Sequence, residues 1–578
     1  MGRVPMRAVA RRCIDDNIAV MKMSLSCIAL AAISVVAHSQ TRDSSFSVVE
    51  SGIPQMRAAL EQHRVTSREL VMQYLARIGM YEDVLHAAVI VNPNALKEAD
   101  ELDRERAQGR VRGPLHGIPI ALKDNIQTTE MPTTGGALAF QGYTPPYEAT
   151  LTRNLKAAGA ILIAKATLSE LANWVAGAPT PMPGNYNAIR LWGMNPYDPR
   201  RDPRDAFNDG RGAMSPAGSS SGIGTAANLW AANVGTETSG SILGPSNQNM
   251  LAAIKPTVGR ISRWGVIPIT ADQDTAGPMA KYVADAAILL GAMESASPDP
   301  NDPATSRCTP PPNRDYTPNL KADALRGARI GIPREFYYDL PAGGRGGRGN
   351  GGLNAEQRKV MADVIAVLKE RGAIIVDPAN IPTVKELAQW DFCAGGNEGK
   401  GKDANCSVVV KYGMKRDFNK WLATLGPSAP VKTLTELREW NIEHTAAGAI
   451  RYGESRLDIS DEMDVEADRA RYEADRAKDI DLAGSRGIDA AMKANHLDAL
   501  LFPGASSASI AAKPGYPTVI VPFGMVPNAP EPPFPAGFNA KPQPYGVGFT
   551  GMACSEPRLI ELAYSFEQAT KRRIPPAP

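Results

Sequence analysis

Three times along the chain an amphipathic helical pattern meets a glycine or polar break and then a short apolar run. LTRNLKAAGAILIAK does so from Leu151 to Lys165. VMADVIAVLKERGAIIVD does so with Val360, Val364, Val367 and Leu368 on one helical face, ahead of a strand at Ile374–Val376. GIDAAMKANHLDALLFP ends in a third strand at Ala499–Phe502. Further short apolar runs lie at Ile118–Leu122, Arg329–Ile332, Val519–Val521 and Val547–Phe549. Strands that are apolar on both faces and alternate with helices predict an α/β fold with a largely parallel or mixed sheet. Thr66 and Glu69 have capping-box spacing, and Leu70, Tyr74 and Ile78 give the helix that follows an apolar stripe.

Two segments break this rhythm. Ala342–Gly352 (AGGRGGRGNGG) is a surface loop by composition, and about 383–478 is charged and helical in pattern, suited to covering a cleft. A third stretch is ambiguous. AGSSSGIGTAANLWAANVGTETSGS, Ala217 to Ser241, holds five serines and five glycines in 25 residues, the composition of a flexible linker. Yet an apolar run, Ala226–Val234, interrupts it, and AAIKPTVGRISRWGVIPI follows with the pattern of packed core. It is either a tether or a rigid framework whose serines carry chemistry.

Composition places the chain among ordinary globular proteins, with 43% apolar and 21% charged residues in 578. The segment MKMSLSCIALAAISVVAHSQ has a lysine, an apolar run Leu25–Val36 and small residues Ala37 and Ser39 before a cut at Gln40. It reads as a secretory signal peptide within a leader over 1–39, with Met21 or Met23 as the true start. A buried N-terminal helix is the alternative. The expected location is therefore periplasmic or extracellular, and length alone suits two to four domains, or one large α/β domain, after the leader. Taking the leader's five basic and two acidic residues from the totals of 63 and 61 leaves 58 and 59. That balance does not favour a polyanionic partner, and no later run is long and apolar enough to span a membrane. Four cysteines remain outside the leader, Cys308, Cys393, Cys406 and Cys554. Cys393 and Cys406 bracket a polar, glycine-rich loop as a disulfide pair, or are two unrelated thiols. No Cys/His spacing suggests zinc, so no metal and no cofactor are expected.

Histidine offers little to catalysis. His38 lies in the leader, His63 and His86 in or beside helices, His444 in the charged segment and His496 in a helix-to-strand turn. His116, in PLHGIPIALKDNI, begins a buried strand and is expected to satisfy a local hydrogen bond. GSSSG (Gly218–Gly222) matches the G-x-S-x-G nucleophile elbow around Ser220, but RGAMSPA is not the strand that an elbow requires. Lys123 is more informative. It ends the apolar run GIPIALK, where desolvation lowers an amine's pKa unless the ammonium is paired. A neutral buried amine is a competent general base for a serine hydroxyl. The competing reading is a strand-end lysine reaching for water.

GPLHGIPIALKDNI, AGSSSG, GTETSGSILGPS, AAIKPTVGRISRWGVIPI and DQDTAGPMA, in this order, resemble the amidase signature family. The likeness runs on through LSELANW and GYPTVIVPFG to EPRLIELAYSFEQAT, covering roughly 45–575, and is nearest to bacterial secreted peptide-amidase-like members. The resemblance implies a single domain of the amidase signature fold over 40–578, with a large mixed, mostly parallel sheet and helices on both faces. It also implies a Ser–cis-Ser–Lys triad. Ser241 matches the nucleophile, Ser219 the bridging serine and Lys123 the base that deprotonates it. The backbone N–H groups of Thr238, Ser239 and Gly240 match the oxyanion hole. A tight loop of small residues suits backbone donors to an approaching substrate, independently of the family.

Two features depart from the family pattern. Ser219 and Ser241 are 22 apart, about two residues short, and in a joining helix IGTAANLW two residues amount to about 200° of rotation. Ser220 is thus the second choice for the bridge. Leu243 stands where many relatives carry arginine, a position suited to substrate choice. The reading is a secreted amidase that hydrolyses a carboxamide through an acyl-enzyme, releasing ammonia or an amine. Its partner is a small-molecule or peptide amide, with no nucleic acid, no stable membrane association, and a monomer or homodimer. The alternatives are a protein like the amidase-type component of a tRNA-dependent amidotransferase, which would work in the cytoplasm with partner subunits, and a non-catalytic carboxamide-binding relative. The variable segments Leu168–Trp174, Trp192–Asn208 and 383–478 are expected to line the pocket, with Trp174, Trp192 and Trp390 either as an apolar wall or as plain core.

Overall fold

A computed structural model of the chain describes residues 46–218, 222–340, 351–394, 401 and 404–577. The expected leader over 1–39, Ser219 and Ser220, most of the 342–352 loop and most of the glycine-rich loop between Cys393 and Cys406 lie outside the described residues. Thirteen strands are described: β1 Ala88–Val91, β2 Pro119–Lys123, β3 Ile161–Ala166, β4 Tyr186–Asn187, β5 Leu191–Trp192, β6 Ala232–Glu237 and β7 Ala252–Lys255, followed by β8 Thr275–Ala280, β9 Arg329–Gly331, β10 Ile374–Val376, β11 Ala499–Pro503, β12 Thr518–Val526 and β13 Gln543–Thr550. All but the β4–β5 pair join one sheet in the order β1-β3-β2-β6-β8-β7-β12-β13-β11-β9-β10. The mixed α/β sheet is as expected. Its parallel pairs lie in two flanks, β3–β2–β6 and β11–β9–β10, around an antiparallel middle.

The helices that matter to the site are α1 Ser67–Leu85, α2 Thr150–Ala157, α3 Ile223–Ala226, α4 Leu243–Gln248, α5 Val283–Met293, α6 Ala355–Glu370, α7 Val409–Thr424, α8 Leu434–Glu443, α9 Arg469–Ile480, α10 Asp489–Asn495 and α11 Glu556–Thr570. The three helix-then-strand units are α2–β3, α6–β10 and α10–β11. The capping box at α1 is formed: Glu69 N–H donates to Thr66 Oγ1 at 3.1 Å and Thr66 N–H to Glu69 Oε2 at 2.8 Å. Alternation along the strands fills two cores. Ala252, Ile254, Val519 and Val521 face the large core under α5, α6 and α11, while Ala253, Met279 and Ile520 face a smaller one with Leu243 of α4. Helices therefore cover both faces.

Over its described residues, 217–218 and 222–241, the stretch from Ala217 to Ser241 is neither tether nor long helix. The expected helix over IGTAANLW stops after α3, because Asn228 turns left-handed (φ 57) and Trp230 folds back over Gly224. A Cβ on Gly224 would fall 2.0 Å from the Trp230 ring, so the chain is held against its own indole. Trp230 Nε1–H donates to Thr225 Oγ1 at 2.9 Å, closing the back-fold. Strand β6 follows, with Ala232 opposite Ile120 and Val234 opposite Leu122. Sheet register, rather than the rotation of a helix, thus delivers the chain to Ser241.

In the 383–478 region α7, α8 and α9 are helical, as expected. Met414, Phe418, Trp421, Leu434 and Leu437 build an apolar layer with Phe140, Trp174 and Trp192. Trp174, Trp192 and Trp390 are only 4–6% exposed, so they are packing residues rather than an open apolar wall. Trp390 Nε1–H donates to Asp479 Oδ1 at 2.9 Å. Cys393 pairs with Cys406 in a disulfide, and Cys308 with Cys554. Among the described residues no helix is long and apolar enough to cross a membrane, and no acidic, cysteine or histidine cluster could hold a metal.

Candidate active site

Strands β2 and β6 run parallel, and their carboxyl ends carry the candidate chemistry, the edge at which open α/β sheets place ligands. Lys123, the last residue of β2, is completely buried. Its Nζ donates to Thr236 Oγ1 at 2.7 Å and to the Thr236 carbonyl at 3.2 Å. Asn125 Nδ2 donates to the same hydroxyl oxygen at 3.1 Å. Burial pushes the Lys123 ammonium down to about 7, against the pull of the Asp274 and Glu237 carboxylates in the other direction. The snorkelling reading is excluded, since the side chain has no path to water. Lys165 of β3, which pairs with Leu122 and is also buried, differs in being 3.1 Å from the Asp124 carboxylate.

Beyond Thr236 the chain turns through Thr238, Ser239 and Gly240 to Ser241, all partly accessible, with Gly240 at φ +107. The turn is held from both sides. The Glu237 carboxylate accepts from the N–H groups of Ile242 at 2.7 Å and Leu243 at 2.9 Å, fixing the chain just past Ser241. The Thr238 hydroxyl donates to Asp274 Oδ1, and Asp274 Oδ2 accepts from Ile269 N–H at 2.8 Å and Thr270 N–H at 3.0 Å. Burial raises the Asp274 carboxyl to about 7. Leu243 itself is fully buried in the smaller core, so it packs the turn from behind and is not a substrate-facing position.

The approach to Ser219 is equally fixed. Asn249 Nδ2 donates to the Pro216 carbonyl at 3.0 Å, Asn185 Nδ2 to that of Ala217 at 2.8 Å, and Ser169 Oγ to that of Gly218 at 3.0 Å. Gly218 sits at φ +55, a left-handed conformation that favours glycine. A Cβ there would meet Pro245 Cδ at 2.8 Å and stand 3.5 Å from the Ser241 Cα. The residue before Ser219 therefore packs on the Ser241 turn, and three side-chain donors immobilise the segment leading to it. No strand leads in, so the nucleophile-elbow reading fails as expected.

His116 is buried and structural. Its Nδ1 accepts from Arg112 N–H at 3.1 Å and its Nε2 lies 3.0 Å from the Leu102 carbonyl. Burial lowers its pKa and keeps the ring neutral. Lys123 and the 238–241 turn both lie at the β6 end. Thr236, Asn125, Asp274 and the anchors Ser169, Asn185 and Asn249 were not singled out. The first three lie inside the motifs KDN, GTETSGS and DQDTAGP, which is the signal that could have found them.

The Amidase family model matches residues 69–560. A probable amidase of Arabidopsis thaliana is 32% identical over 551 residues, covering 94% of each chain. One component of the glutamyl-tRNA(Gln) amidotransferase of Chloroflexus aurantiacus is 38% identical over 321 residues, covering 55% of this chain and 58% of its own. Among solved structures, the native peptide amidase from Stenotrophomonas maltophilia is 36% identical with a TM-score of 0.76, covering 91% of this chain and 98% of its own.

Proposed function

This chain belongs to the amidase family of amide-bond hydrolases, and from that premise we propose that it is a secreted amidase using Lys123, Ser219 and Ser241. Neutral Lys123 takes the proton of Ser219, and Ser219 that of Ser241 as its Oγ attacks the carboxamide carbon. The negative oxygen that forms is met by the N–H groups of Thr238, Ser239 and Gly240. The proton returns through Ser219 to the departing nitrogen, the C–N bond breaks, and ammonia or an amine leaves an acylated Ser241. A water activated by the same relay then frees the acid and the enzyme. The observation that carries this reading is Lys123: a fully buried amine, kept near neutrality by desolvation and directed at Thr236, two residues before the Ser241 turn.

Secretion is supported by the leader pattern and by the two disulfides, which persist in oxidising compartments. An amidase, rather than an amidotransferase component, is favoured by the leader pattern and by higher identity over a comparable span, 32% and 36% for the amidase relatives against 29% over 89% of this chain for the amidotransferase component of Synechococcus sp.. The test is a panel of C-terminal peptide amides, aryl amides and aliphatic amides, scored for released ammonia and released amine. The wild type is expected to consume at least one class and Ser241→Ala none. A wild type inert across the panel, or equal turnover by both proteins, rejects the proposal.

A further inference from the structure

The turn 270–274, which carries Asp274, is gripped by the 383–478 segment. Helix α7 lies directly on it: a Cβ on Gly413 would fall 2.1 Å from Thr270 Oγ1. Asp417 Oδ2, also on α7, accepts from Ala271 N–H at 2.7 Å. Asp272 is the hub. Arg416 Nη2 donates to its Oδ2 at 3.0 Å, and the Tyr472 hydroxyl of α9 is 2.9 Å from both carboxylate oxygens. Arg476 reaches its Oδ1 at 3.4 Å and its carbonyl at 3.1 Å. Arg416 lies against a stacked tyrosine pair, 4.9 Å from the Tyr472 ring and 5.6 Å from the Tyr412 ring, whose centroids are 4.2 Å apart. The Cys393–Cys406 disulfide packs in the cluster that includes these tyrosines.

Isolated surface ion pairs contribute little, but a hub with two guanidiniums, a phenol and a backbone carbonyl fixes geometry as well as charge. Two residues on, Asp274 accepts the Thr238 hydroxyl. We propose that Asp272 and Arg416 are positioning residues for the Thr238–Ser241 turn, so that docking of α7 and α9 sets the geometry of the N–H groups around Ser241. This rests on the amidase reading of Ser241. Small displacements of a reacting group from far away reduce rates by up to about 10²-fold.

The experiment compares wild type, Arg416→Met, Asp272→Asn, Thr238→Val and the Arg416→Met/Thr238→Val double variant in the full chain. A fluorophosphonate reports the saturated rate of serine phosphonylation, in which Ser241 Oγ displaces fluoride and the phosphoryl oxygen occupies the place of the amide oxygen. Arg416→Met and Asp272→Asn are each expected to slow that rate about tenfold, with half-saturation within about twofold of wild type. The double variant is expected to be no more than about twofold slower than Thr238→Val alone, because both act through one contact. Hydrogen exchange at residues 238–240 is expected to quicken in both single variants, with melting of the fold unchanged. Unchanged rates and exchange, or rates that multiply in the double variant, overturn the proposal. A wild type that takes no label rejects the amidase reading instead, and exchange at 238–240 still decides the positioning role.

Discussion

Lys123 Nζ and Thr236 Oγ1 meet at 2.7 Å across the parallel β2–β6 pair, at a lysine with no solvent exposure. That contact turns a costly buried amine into a directed one. Its first consequence is a pH profile. Burial holds the amine at about 7, and only its neutral form accepts a proton. kcat/KM is therefore expected to rise with pH to a midpoint of about 7 and level above it. The Asp274 carboxylate favours the ammonium, so Asp274→Asn is expected to move the midpoint down. A flat profile from pH 5 to 9, or an upward shift in that variant, would contradict the assignment.

Ser169 tests the rigid approach to Ser219. Its hydroxyl accepts from Asn185 N–H at 2.7 Å and donates to the Gly218 carbonyl at 3.0 Å. Ser169→Ala orphans both groups, which is expected to cost about 1–3 kcal/mol in thermal unfolding and about tenfold in kcat. Full activity in a destabilised variant would detach the anchor from the chemistry.

Glu170 gives a prediction about stability alone. It is buried and burial raises its carboxyl to about 8 from 4.5, so the folded chain holds a proton that the unfolded chain releases between those values. Stability contributed by this group is present below pH 4.5 and falls as pH rises to about 8. Glu170→Gln lacks that slope. Its melting temperature relative to wild type is expected to climb between pH 5 and 8, and a constant difference would refute the protonated carboxyl.

The two disulfides should differ in weight. Cys308 and Cys554 are 246 residues apart, Cys393 and Cys406 only 13. Chain-entropy reasoning gives about 5 kcal/mol for the long closure and about 3 kcal/mol for the short one. The Cys308→Ala/Cys554→Ala protein is thus expected to melt below the Cys393→Ala/Cys406→Ala protein. The reverse order, or four alkylatable thiols in the native chain, would contradict this.

Much of the architecture was readable because it is local. The three helix-then-strand units and the Thr66–Glu69 box follow from patterns within twenty residues, whereas the run GIPIALK left Lys123 either buried or reaching for water. What was not readable depends on distant partners. Nothing in IGTAANLW announces that Trp230 will fold onto Gly224 and end the helix after one turn. Leu243 resembled a substrate-facing position until the smaller core enclosed it. Thr238 meets Asp274 across 36 residues, and Asp272 meets Arg416 across 144, separations no local pattern records.

Fluorophosphonate labelling with peptide mapping tests the central claim most directly. The account predicts one adduct on Ser241, none in Ser241→Ala, and labelling slowed by about 10²–10⁴ in Lys123→Met with the fold intact. A folded wild type without adduct, or the same labelling in Ser241→Ala, would contradict it.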